Sequence, residues 1–252
     1  MANNSPYDHF LRVQNSFFKR QLKTMDIHKK LFHDSCYWIG FQYWLDDQIA
    51  DSTEKYSDRW KNLQKQTGHS YFVRNLHYLY GSLELSLIGL VDPCLNLLRT
   101  VYESILKMYY LALFPKEAES ISKDLDKKPP KYNHGFLVSK LYTEETGNGC
   151  KRFFSILSNK AHSNYTGMGH TVTYSPDYIK QCMDNILVLS FYNILAELEN
   201  QRTHQSILDP ELVLQIEPEY KKLSSLISDT NGMIPNFITD KPEFSGKLGC
   251  HL

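Results

Sequence analysis

The chain has 252 residues, 42% of them apolar, enough to bury a sizeable core in one large or two small domains. Lys plus Arg and Asp plus Glu each number 28, so the formal charge is zero and no global field draws the chain to nucleic acid or an anionic bilayer, which leaves only local patches for that purpose. Cysteines at 36, 94, 150, 182 and 250 include no close pair, which argues against a disulfide framework or zinc knuckle and for a reducing, cytoplasmic setting.

From Tyr7 to about Leu31, the apolar positions Phe10, Val13, Phe17, Leu22, Met25 and Ile27 recur at loose helical spacing behind Asp8 as N-cap. The preceding residues are polar and lack the apolar run of a secretory signal. A second helix is predicted over about 33–66 on Trp38, Phe41, Trp44, Leu45 and Ile49, closed by Gly68. A third covers about 70–90, with Gly81 and Gly89 as close-contact points.

Asp92-Pro93 opens a fourth helix to about 114 as N-cap and first-turn proline. It is apolar around most of its circumference, as befits the centre of a bundle, and gathers Asn96, Arg99, Glu103 and Lys107 into one stripe. KDLDKKPPKYNHG at 123–135 reads as a surface linker, followed by short helices at about 136–142 and 149–162. After His162 the glycines 167 and 169 break regular structure, and Ser175-Pro176 starts a long apolar helix to about 203.

A short helix near 218–228 and a breaker-rich, irregular C-terminal tail follow. No β-alternation persists and no stretch reaches the roughly 20 apolar residues that span a bilayer. The pattern gives an all-α multi-helix bundle in a single domain over 1–252. N-terminal helices fill 1–90, a central core 91–205, and a last helix and tail 206–252. With 17 Tyr and 13 Phe, aromatic faces favour a homodimer or a protein partner, and no membrane partner is expected.

Two helical turns carry candidate chemistry. Arg99 and Glu103 stand four apart in the apolar fourth helix, where a buried charge needs a partner, so an intrahelical ion row through Lys107 is the plainest reading. Ser158 and His162 are likewise four apart beside a glycine-containing loop, with Asn159 and Lys160 between them. Imidazole exchanges protons near neutral pH, although a histidine at a helix C-terminus is also favoured by the macrodipole alone.

The segment LLRTVYESILKMYYL followed by FSILSNKAHSN resembles an uncharacterised prokaryotic all-helical family that pairs an Arg-x-x-x-Glu helix with a Ser-x-x-x-His helix. That family is similar in outline to the HEPN bundles, many of them metal-independent ribonucleases of toxin–antitoxin and antiphage defence systems. The resemblance covers about 90–200. It implies that Arg99, Glu103, Ser158 and His162 converge. HEPN ribonucleases typically carry an Arg, then four to six residues, then a His on one helix. No pair here has that spacing, so Arg99 from a second helix would supply the charge.

Other chemistries lack their signatures: there is no Glu-x-x-His pair for di-iron, no His-Glu-x-x-His, no phosphate loop and no Gly-x-Ser-x-Gly elbow. No metal or cofactor is expected, and His28, His33, His77, His162, His170 and His204 cannot be sorted by spacing. Three functions follow. In the first, RNA is cut without metal, with His162 and Arg99 catalytic and Ser158 and Asn159 orienting the phosphate. In the second, the same residues, with Glu103 and Lys160, hold a small anion or nucleotide. In the third, they form an interior network in a helical interaction protein.

Overall fold

The computed structural model describes residues 6–55, 63–123, 131–161, 176–202, 214–219, 221–222 and 225. Their regular structure is helical throughout. Helices α1 Pro6–Ile27, α2 Lys29–Lys55, α3 Leu63–Leu87 and α4 Val91–Leu113 are followed by a 3-10 turn at Pro115–Glu117. Then come α5 Ala118–Ser122, α6 His134–Leu141, α7 Glu144–Ala161 and α8 Pro176–Arg202. A further helical stretch occupies 214–219. The protein is an all-α, multi-helix bundle.

Local chemistry sets the boundaries, sometimes away from the sequence expectation. Pro6 opens α1, so Asp8 lies inside the helix and not before it. Only His28 separates α1 from α2; its amide donates to the Thr24 carbonyl and its carbonyl accepts from Phe32, each at 2.9 Å. Gly68 does not end a helix but stands inside α3. α3 ends instead at Gly89, whose φ of 81° suits a residue without Cβ. Leu90 N–H reaches the Leu85 carbonyl (2.9 Å) and Gly89 N–H the Ser86 carbonyl (3.0 Å), the paired bonds of a Schellman end.

Asp92 falls in the first turn of α4, not at its cap, and its carboxylate there meets the positive end of the helix dipole. α6 has a true cap: Asn133 Oδ1 accepts from Phe136 N–H at 3.0 Å.

The centre of the bundle is α8, buried without interruption from 185 to 201, with α2, α3 and α4 packed around it. α4 contributes Leu98, Val101, Ile105, Leu106 and Met108, all with no exposed surface. Burying each such side chain is worth roughly 1.5–3 kcal/mol. The N-terminal α2 and α3 therefore share one hydrophobic core with α4 and α8. The opposite flank of α4 meets α6 and α7, and the candidate site forms there. No helix among the described residues is long and apolar enough to cross a membrane.

Candidate functional site

Arg99 Nε lies 3.1 Å from Glu103 Oε1, one turn along α4, with 24% and 34% of the two side chains exposed. This is the ion pair read from the spacing. The Lys107 ammonium, one turn further on, lies 5.8 Å from the centroid of the Tyr71 ring of α3. The Arg99 guanidinium lies 4.7 Å from the ring centroid of Phe154 in α7, a cation–π approach. Ser158 follows Phe154 by one turn on the same helix, and its buried Oγ has no hydrogen-bond partner among the described residues.

The backbone of Asn159 and Lys160 belongs to the last turn of α7, but their side chains, and His162, His170 and His204 entirely, lie outside the described residues. The structure thus brings Arg99 and Glu103 to the α7 face that carries Phe154 and Ser158. The expectation that His162 joins them falls outside what is described.

A different histidine completes the cluster. His134, the first residue of α6, stacks on Phe154 with centroids 4.0 Å apart and planes at 10°. Its Nε2 is 3.3 Å from the Tyr102 hydroxyl, and that hydroxyl donates to the Cys150 carbonyl at 3.3 Å. With the single phenolic proton given to the carbonyl, the Tyr102 oxygen accepts from His134 Nε2–H, and Nδ1 keeps a lone pair.

Burial pulls the His134 pKa down, and the charges of Arg99 and Lys151 pull the same way, to about 4. The ring is uncharged at neutral pH. Burial, aided by Cys150 and Glu103, pushes the Tyr102 phenol far above its ordinary value, so it remains a phenol. The site is therefore a guanidinium and a neutral imidazole on one aromatic ring, with a carboxylate paired to the guanidinium.

Sequence reasoning missed Tyr102, His134 and Phe154. His134 sits in a segment that reads as linker, and only Asn133 as a helix cap marks it as the opening of an element. Phe154 was legible as the residue one turn before Ser158.

A second histidine lies in a buried seam between α2, α3 and α8. His69 Nε2 is 3.2 Å from Asp46 Oδ1 and Nδ1 is 3.0 Å from Glu197 Oε1. Both nitrogens face carboxylates, an arrangement that calls for imidazolium. Burial lowers the His69 pKa, but the Glu197 hydrogen bond and the charges of Glu197 and Asp46 outweigh it, and the net shift is upward.

Glu197, with no exposed surface, also accepts from Gln201 Nε2 (2.6 Å) and Asn200 Nδ2 (3.4 Å). Asn200 donates to the Lys65 carbonyl (3.2 Å) and accepts from Gln64, and Lys65 Nζ donates to the Gln201 carbonyl (3.0 Å). Further along, Asn75 donates to Asn193 and Asn193 to Gln42, each at 2.9 Å. Pairs 65–201, 69–197 and 75–193 run in opposite senses, so α3 and α8 are antiparallel. This seam joins helices through buried polar groups that are largely paired with one another; Asn75 Oδ1 has no hydrogen-bond partner among the described residues.

Among the described residues, no group of three or more His, Cys, Asp or Glu side chains is placed to hold a metal. The chain matches no protein-family model, no curated protein and no solved structure.

Proposed function

We propose that the protein is an RNA-directed, HEPN-like helical protein that cleaves RNA without a metal at the α4–α6–α7 cluster, in a defence or stress setting. The observation that carries this reading is the uncharged His134 ring stacked on the same Phe154 ring that the Arg99 guanidinium covers. A neutral imidazole with a lone pair on Nδ1 is a general base for a ribose 2′-hydroxyl. The 2′-oxygen attacks the adjacent phosphorus, a 2′,3′-cyclic phosphate forms, and the 5′-oxygen departs with a proton from His162. Arg99 offsets the charge that builds on the phosphoryl oxygens. Ser158, with an unused buried hydroxyl, donates to the phosphate.

The test is incubation of the full chain with mixed tRNA and single-stranded RNA in EDTA, beside folded His134→Gln, His162→Ala and Arg99→Lys. Cleavage that survives EDTA and falls about a hundredfold or more in each variant supports the reading. No cleavage by the wild type, or cleavage indifferent to His134 and Arg99, overturns it.

One observation favours a second reading, retention of an anion or nucleotide without turnover. At about 4 the His134 pKa makes Nδ1 a weak base, and Glu103 already engages Arg99. Saturable thermal stabilisation by a nucleoside monophosphate, lost in Arg99→Lys and without product, would place the cluster in that class.

A further inference from the structure

The first helix departs from the neutrality of the whole chain. Between residues 6 and 27 it carries the cations Arg12, Lys19, Arg20 and Lys23 against the carboxylates Asp8 and Asp26. Arg12, Asn15, Ser16, Lys19, Arg20 and Lys23 line a hollow of about 490 Å³. At ~100° per residue, Arg12, Lys19 and Lys23 fall within about 40° of one another around the axis.

On the flank next to that basic stripe, Leu11, Phe18 and Leu22 fall within another arc of about 40°. They are 38%, 59% and 52% exposed, a large apolar surface to leave in water. The second half of α1 is fastened to the bundle: Thr24 is buried, Met25 packs on the core, and Gln21 Nε2 donates to Glu84 of α3 at 3.5 Å. Residues 11–16 are exposed on every face of the helix. A helix with an exposed stretch, one basic stripe and one exposed apolar stripe is the arrangement that lies flat in a lipid headgroup layer.

We propose that α1 docks the protein on the surface of a bilayer rich in anionic lipid, with Leu11, Phe18 and Leu22 entering the acyl boundary and Arg12, Lys19, Arg20 and Lys23 meeting the headgroups. Charge decides among the occupants. A second copy would bring two basic stripes together, which costs energy unless anions are trapped between them. A nucleic-acid backbone would use the cations and leave the leucines and Phe18 in water. An anionic bilayer satisfies both stripes at once. It requires no spanning helix, in keeping with the absence of one among the described residues.

The experiment is co-sedimentation of the full chain with phosphatidylcholine vesicles and with vesicles that also contain phosphatidylserine, at low and high salt. Binding to the anionic vesicles, weakened by salt and absent from phosphatidylcholine alone, is the expected result. Lys19→Gln/Arg20→Gln should weaken partitioning roughly 25-fold, since each cation near an anionic surface contributes about fivefold. Phe18→Gln/Leu22→Gln should weaken it comparably with every cation kept. All these side chains are exposed, so both variants should keep the wild-type circular dichroism and melting temperature.

No binding to anionic vesicles overturns the proposal. So does binding that ignores Phe18→Gln/Leu22→Gln. Tight binding of a single-stranded RNA that needs Lys19 and Arg20 but not Phe18, with no vesicle binding, would assign the cations to nucleic acid. Conversion of a dimer to a monomer by Phe18→Gln/Leu22→Gln, again without vesicle binding, would assign the apolar stripe to a second copy.

Discussion

His134 and His69 are both largely withdrawn from water, yet their surroundings push them in opposite directions. His134 shares Phe154 with Arg99 and feels Lys151, so burial and like charge together keep it neutral. His69 stands between Asp46 and Glu197, and the two carboxylates overcome burial and favour its charged form. Burial alone therefore does not fix the state of a buried titratable group; the sign of the nearest charges does. The α2–α3–α8 seam is a network of buried groups paired between helices, although Asn75 Oδ1 has no hydrogen-bond partner among the described residues. The α4–α6–α7 cluster differs in holding a neutral histidine with a lone pair on Nδ1, beside a Ser158 hydroxyl that has no hydrogen-bond partner among the described residues.

The largest expected effect breaks the seam. Glu197→Leu removes a buried acceptor shared by His69, Asn200 and Gln201 and should cost about 3–5 kcal/mol in urea unfolding. A loss below about 1 kcal/mol would mean that the seam contributes little to the fold.

Gly68→Ala tests the same joint by shape. An added Cβ would collide with the Asn200 amide, itself held by Gln64 and Lys65. The overpacking should cost about 1–3 kcal/mol, against the 0.5–1 kcal/mol that alanine ordinarily gains in a helix. Gly40→Ala in α2 meets no atom within 4 Å and should show only that gain.

pH separates the two histidines. His69, raised above 6.5, contributes stability that is fully present below the unfolded value and lost as pH rises through its folded pKa. His134, lowered to about 4, contributes stability present above 6.5 and lost as pH falls toward 4. Unfolding of His69→Gln and His134→Gln between about pH 4 and 9 should therefore remove opposite limbs of the wild-type profile.

The smallest effect is on the exposed side of the site. Glu103→Gln breaks a partly exposed i→i+4 pair and should change stability by only about 0.2–0.5 kcal/mol. A much larger loss would mark Arg99 as a structural charge, which would count against its availability to a phosphate.

The sequence carried the parts of this picture that depend on spacing along one helix. The burial of α4 and α8 and the Arg99–Glu103 pair follow from periods of three and four. Parts that depend on meetings between helices were hidden. Asp46, His69 and Glu197 come from three helices, and reading Gly68 as a stop put His69 at the edge of a helix and not inside one. The glycine is there because Asn200 crosses close to the backbone, a reason visible only in the packing. A partial signal was present in α8, where Asn193, Glu197, Asn200 and Gln201 recur at helical spacing within a segment that reads as apolar. His134 was masked by its lysine- and proline-rich neighbours.

The most direct test of the contrast between the two regions is a pH titration of the imidazole carbon-bound protons by NMR, assigned through His69→Gln and His134→Gln. His134 should titrate near 4 and His69 above 6.5. If both titrate near the ordinary value, or His134 is the higher of the two, the neutral base at the α4–α6–α7 cluster and the charged joint at the α2–α3–α8 seam are both contradicted.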